Sequence, residues 1–151
     1  MIPNEISNVI DVLLIESNPD DAQRIIGELK RHRLANKLFH VMDGEAAMAF
    51  LNTTLKNKDE PGSSNLPELI LLDIQMPNSG GVDVLKKIRS DEKLRGVPVV
   101  ILTCSNQDPS IQTCYDLGAT SYIVKPLNLE KFSEAIYSLG FYWLLLNKPP
   151  T

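Results

Sequence analysis

Four short segments of the chain are apolar at nearly every position: VLLI (Val12–Ile15), LILL (69–72), VVIL (99–102) and YIV (122–124). A strand with one face in water alternates polar and apolar residues, because successive side chains point to opposite faces. These runs do not alternate. Strands of this kind need cover on both faces, which means a parallel sheet enclosed by helices. A fifth run, KLFHVM (37–42), alternates better and suits an edge strand.

Helical patterns lie between the runs. Ala22, Ile25, Ile26 and Leu29 recur at i, i+3, i+4 and i+7, one apolar face of a first helix. Its start is marked by Asn18 at a capping position, Pro19 in the first turn, and Asp20 and Asp21 beside the positive end of the dipole. Ala46, Ala47, Phe50 and Leu51 predict a second helix, and Val82, Leu85 and Ile88 a third. Ile111, Cys114, Tyr115 and Leu117 predict a fourth, and residues 129–146 the last and longest. Strand and helix thus alternate five times, the order of a doubly wound α/β sheet with right-handed crossovers. The polar segment 52–68 has no periodicity, and its middle is expected to be an exposed loop.

At 151 residues one domain is expected, without an output domain after it. Fifteen basic against nineteen acidic residues give a net charge of -4 with no basic run, which argues against nucleic-acid or anionic-membrane partners. No signal peptide is readable at the start, and no apolar run approaches the roughly 18 residues of a membrane span. Cys104 and Cys114 are the only cysteines, and their spacing suits neither a metal nor a disulfide framework. A reducing, cytoplasmic setting fits best. His32 and His40 are isolated and are expected at the surface or a strand edge rather than as ligands.

Ligands of an open parallel sheet bind beyond the carboxyl ends of its strands. Here the first strand ends at Glu16 and Ser17, the third at Asp73, the fourth at Thr103 and the fifth at Lys125. Two carboxylates, a hydroxyl and an ammonium then share one rim. That set suits phosphoryl transfer to a carboxylate, with Asp73 as nucleophile. Glu16 and Asp73 could hold a magnesium ion, a hard cation that takes oxygen ligands and keeps several waters. Lys125 would pair with the phosphoryl oxygens as a mobile point charge, and Thr103 would donate its hydroxyl to another.

In VLLIESNPDD, LILLDIQMPNSGG, VVILTCS and SYIVKP, in this order and spacing, the chain resembles the receiver domain of two-component response regulators across about residues 10–139. The resemblance implies a flavodoxin-like (βα)5 sandwich with strand order 2-1-3-4-5. It also implies Asp73 as phosphoacceptor, Lys125 as the lysine before a proline, Thr103 as switch hydroxyl and Tyr122 as the aromatic that swings inward with it. Gln75 would offer its backbone carbonyl to the metal, and Gly81 falls where the family turns tightly into the third helix. Cys104 stands where the family carries a small residue that controls access to the phosphoryl group. A narrower resemblance, carried by NPDD, the long loop and the tail FYWLLLNKPP, is to stand-alone regulators paired with phytochrome histidine kinases. The protein expected is a non-enzymatic regulator that signals through protein contact.

The family normally places a second acidic residue at Ser17. A neutral hydroxyl there weakens the metal site, and with it the catalysis of phosphoryl transfer. Two readings stay open: a receiver with weakened metal use, or a phosphate-independent adaptor dimer. Asp20 or Asp21 could reach in from the first helical turn, although stabilising the helix N-terminus is the preferred account of both. In residues 128–151, LGFYWLLL is apolar nearly all round. A two-fold homodimer through Phe141, Tyr142, Trp143 and Leu145 is expected there.

Overall fold

The computed structural model describes residues 11–31, 35, 37–56, 66–76, 80–128, 130–132 and 134–135. Each continuous apolar run becomes a buried strand. These are β1 (Val12–Ile15), β3 (Leu69–Asp73), β4 (Val99–Thr103) and β5 (Ser121–Val124), with the alternating fifth run as β2 (Leu38–Val41). All pair in parallel, in the order β2-β1-β3-β4-β5. Every residue of β1, β3 and β4 is buried, whereas β2 at the edge is half-buried throughout.

The absence of alternation has a direct cause. Leu13, Ile15, Ile70, Leu72, Val99 and Ile101 face one layer of the core, and Val12, Leu14, Leu69, Leu71, Val100 and Leu102 face the other. The first layer is closed by Ala47 and Leu51 of α2 (Gly44–Lys56), by Val84, Leu85 and Ile88 of α3 (Gly80–Ser90), and by Cys114 of α4 (Ser110–Asp116). The second is closed by Ala22, Ile25 and Leu29 of α1 (Pro19–Arg31) and by Phe132, which is fully buried in the helical residues that follow β5. Burying a leucine or isoleucine side chain contributes about 1.5–3 kcal/mol, so the strands hold both layers at once.

α1 begins as the sequence predicts. The Asn18 side-chain oxygen accepts the backbone N–H groups of Asp20 (2.9 Å) and Asp21 (3.0 Å). Two expectations need correction. α2 continues through Lys56 into the segment read as aperiodic, because Thr54 turns inward and satisfies its hydroxyl on the Phe50 carbonyl (2.9 Å). Tyr115 is not part of the buried face of α4: it is 41% exposed, and its ring meets Tyr122 edge-on at 6.2 Å between centroids. Adjacent helical positions lie about 100° apart, so the burial of Cys114 turns Tyr115 outward.

The register fixes the site. Ile15 lies opposite Leu72, Asp73 opposite Leu102, and Thr103 opposite Val124. Glu16, Asp73, Thr103 and Lys125 therefore emerge at the same edge. No helix among the described residues is long and apolar enough to cross a membrane. His32 and the expected dimer contacts Phe141, Tyr142, Trp143 and Leu145 lie outside the described residues.

Candidate functional site

Glu16 is fully buried one residue past β1. Its Oε2 accepts the Asn18 N–H at 3.1 Å, and its backbone carbonyl is met by His40 Nε2 at 3.0 Å from the neighbouring strand. Asp73, at the end of β3, is 2% exposed, and its Oδ1 accepts the Gln75 N–H at 3.0 Å. Lys125 follows β5, its backbone N–H held by the Thr103 carbonyl at 2.7 Å, and a cis bond joins it to Pro126. Its ammonium lies 2.7 Å from Glu16 Oε1, 3.1 Å from Asp21 Oδ2 and 3.5 Å from Asp73 Oδ1.

One buried ammonium therefore serves three carboxylates. Burial works against the charge on Lys125, yet Glu16, Asp73 and Asp21 together carry its pKa above the ordinary value of 10.5. Burial also pushes the Glu16 carboxyl above 4.5; Lys125 pulls it back, and the neighbouring Asp73 adds to the rise. A cationic lysine can neutralise phosphoryl oxygens, while the excess of carboxylates in the pocket favours a further cation beside it.

Thr103 is fully buried, and its hydroxyl is engaged with the loop beyond β4. It donates to the Ser105 carbonyl at 3.2 Å and accepts the Ser105 N–H at 3.3 Å. Tyr122 is half-buried against the core, next to Tyr115. Gln75 is exposed and its side chain reaches Asp108 at 3.4 Å, so its backbone is what faces Asp73. Cys104 is exposed beside Thr103, and Cys114 is the buried cysteine. Gly81 packs against the end of β3: a β-carbon there would lie 2.5 Å from both the Asp73 carbonyl oxygen and Ile74 Cα. The positive φ, +69°, belongs to Gly80 beside it.

A hard divalent cation fits these donors. Glu16 Oε1 is buried with the Lys125 ammonium 2.7 Å away as its partner, Oε2 faces the same rim, and the Asp73 carboxylate stands nearby, so the donors are hard oxygens. The set is lean, since among the described residues no group of three His, Cys, Asp or Glu is placed to hold a metal. Ser17, half-buried, adds no carboxylate. Magnesium suits such a site because it commonly uses one or two carboxylates and retains waters.

The sequence marks Asp21 chiefly as a partner of the helix dipole, and the structure gives its carboxylate to Lys125 as well. α1 begins only a few residues after Glu16, so its first turn necessarily overhangs the same rim; that proximity was the available signal. The contacts of His40 with Glu16 and of Gln75 with Asp108 had no comparable signal, because both depend on rotamers rather than register.

The chain matches the model of the response regulator receiver domain over residues 12–137. It is 33% identical over 139 residues to the probable methanogenesis regulatory protein FilR2 of Methanothrix harundinacea, covering 92% of this chain and 86% of that one. It is 32% identical over 133 residues to the response regulator Rcp1 of Synechocystis, covering 88% of each. A Mn(2+)-bound form of Rcp1 superposes with a TM-score of 0.67 at 31% identity, over 95% of this chain and 100% of that one. The bacteriophytochrome response regulator AtBRR gives a TM-score of 0.75 at 35% identity, over 93% of this chain and 99% of that one. With the family model covering most of its length and the parallel sheet in the order β2-β1-β3-β4-β5, the chain belongs to the response regulator receiver domain family.

Proposed function

We propose that this protein accepts a phosphoryl group on Asp73 from a histidine kinase of phytochrome type and passes the signal on through protein contact. The observation that carries the reading is the buried Asp73 carboxylate, with the Lys125 ammonium 3.5 Å away. In the transfer, the phosphorus–nitrogen bond of a phosphohistidine breaks as a bond to an Asp73 oxygen forms. The imidazole leaves with the electron pair and takes up a proton. Lys125 neutralises the phosphoryl oxygens. Thr103 must exchange its bonds with Ser105 for one to the modified aspartate, and the space it vacates draws Tyr122 inward. A magnesium ion held by Glu16, Asp73 and the Gln75 carbonyl supplies further charge neutralisation when bound.

The phytochrome assignment is supported by the likeness to AtBRR and Rcp1. FilR2, at similar identity, belongs to a different physiology, so phosphotransfer from a phytochrome kinase is the test of that part. The reading implies a cytoplasmic regulator rather than an enzyme, because the acyl phosphate is the signal and not a released product. A homodimer through the C-terminal residues belongs to the same proposal and rests on their apolar pattern; sedimentation with Trp143→Ser tests it. Ser17 favours a second reading, a phosphate-independent adaptor.

Intact mass after exposure to acetyl phosphate separates the two readings, with and without magnesium. The receiver reading expects a magnesium-dependent gain of one phosphoryl group, absent in Asp73→Asn and faster in Ser17→Asp. No gain in wild type, with recovery in Ser17→Asp, shows that Ser17 disables the metal site, and unchanged dimerisation and partner affinity in Asp73→Asn then support the adaptor.

A further inference from the structure

Of the three carboxylates around Lys125, the phosphoacceptor is the farthest: 2.7 Å to Glu16, 3.1 Å to Asp21 and 3.5 Å to Asp73. An ammonium has three protons to give and moves on a flexible stem, so its position is set by competition among its acceptors. Glu16 is fully buried and fixed at the end of β1, whereas the Asp21 side chain is 32% exposed on the first turn of α1. Glu16 cannot follow or release the lysine without leaving an uncompensated buried charge. Asp21 can turn to water at little cost.

We propose that Asp21 is a positioning residue for Lys125: it draws the ammonium toward α1 in the resting protein and releases it when a phosphoryl group arrives on Asp73. Ser17 makes this partner necessary, because with a neutral residue there only Glu16 and Asp73 would oppose the lysine. Asp21 restores a third negative charge, on the lysine side of the pocket. The competing role, a replacement metal ligand, is disfavoured by two observations. Asp21 Oδ2 is engaged by Lys125 (3.1 Å), and among the described residues no three His, Cys, Asp or Glu side chains are placed to hold a metal. A narrow cleft lined by Asp21, Arg24, Ile25, Pro126 and Leu127 runs beside the pair.

The inference rests on the phosphoacceptor reading, so its test must fail separately from that reading. Beryllofluoride, a phosphoryl mimic, is titrated into the full chain at saturating magnesium and followed by fluorine NMR. The proteins are wild type, Asp21→Asn, Asp21→Glu, Lys125→Gln and the Asp21→Asn/Lys125→Gln double variant. Magnesium affinity is measured separately on each. Removing a partly exposed competitor should tighten beryllofluoride binding by about twofold to fivefold in Asp21→Asn. Asp21→Glu should return toward wild type, and the effect should vanish in the Lys125→Gln background. Unchanged or weaker binding in Asp21→Asn, or an effect that persists without Lys125, overturns the proposal. So does a tenfold or larger loss of magnesium affinity in Asp21→Asn, which would make Asp21 a metal ligand. Wild-type protein that takes up no beryllofluoride at all overturns the phosphoacceptor reading and the release mechanism together.

Discussion

Substitution of Gly81 tests whether the end of β3 and α3 are as tightly opposed as the structure shows. An alanine β-carbon at this position would sit 2.5 Å from the Asp73 carbonyl oxygen, 2.5 Å from Ile74 Cα and 3.1 Å from the Asp73 carbonyl carbon. Non-bonded carbons prefer separations of about 3.5–4.0 Å, so α3 must retreat by about 1 Å. Neither opposing atom can swing aside, since both are backbone and the Ile74 N–H is held by the Leu102 carbonyl at 3.1 Å. The retreat also stretches the already long bond from the Gly81 N–H to the Ile74 carbonyl (3.4 Å) and lifts Val84, Leu85 and Ile88 from the core. Overpacking costs about 1–3 kcal/mol, and a rigid contact belongs at the upper end, about 3 kcal/mol. Two controls isolate the cause. Gly80→Ala meets no atom within 4 Å but must hold φ near +69°, a torsional cost of about 1–2 kcal/mol. Gly27→Ala, exposed within α1 and clear of every neighbour, should stabilise by about 1 kcal/mol. Urea unfolding followed by circular dichroism should rank them Gly81→Ala, Gly80→Ala, wild type, Gly27→Ala in rising stability, with equal slopes. A Gly81→Ala protein within about 0.5 kcal/mol of wild type would refute the argument, because a surface-like tolerance is incompatible with that contact.

Arg89 clamps three carbonyls, those of Gly118 (Nε 3.0 Å, Nη2 2.8 Å), Arg95 (3.1 Å) and Val97 (2.8 Å), so Arg89→Met should cost about 1.5–3 kcal/mol in urea unfolding. An unchanged midpoint would show that water replaces the guanidinium at no cost. Burial pushes the Glu68 carboxyl above 4.5, with the Asp11 charge adding to the rise and the Asp11 N–H opposing it. The fold thus prefers the protonated acid: that stabilisation is full below the unfolded value and is lost as pH rises through the raised folded one. Glu68→Gln should therefore gain stability relative to wild type as pH climbs above about 4.5, and parallel pH profiles would sink the assignment. Thr103→Val should cost about 1 kcal/mol for the lost Ser105 contacts, while the ring resonances of Tyr122 should cease to respond to beryllofluoride. A full response without the hydroxyl would remove Thr103 from the switch.

The layers of the fold were legible because burial on two faces leaves a composition signature that survives without tertiary information. β1, β3 and β4 have no position facing water, so none carries a polar residue until the strand ends. Thr54 and Tyr115 show where this reasoning stops. Thr54 is polar yet buried, since the helix itself supplies an acceptor at Phe50, and Tyr115 carries a large ring yet is exposed, since that ring meets Tyr122 edge-on across a surface. Periodicity counts residue types. It cannot count partners.

The site divides along the same line. Strand register makes Glu16, Asp73, Thr103 and Lys125 neighbours whatever their rotamers, and so the sequence order of strand ends was enough to assemble them. The allocation of the lysine was not legible, because it depends on distances that differ by less than 1 Å among three acidic groups. That allocation bears on the meaning of Ser17. On the proposed reading, a neutral residue at Ser17 would weaken the cation's contribution to neutralising an incoming phosphoryl group. The burden would then shift to Lys125, which among the described residues is the cationic group held beside Asp73 and whose pairing with Asp21 could change on phosphorylation. Signal output in such a receiver would follow the lysine's change of partner as much as the threonine's, and α1, which carries Asp21, would join β4 and β5 as an element that feels the modification.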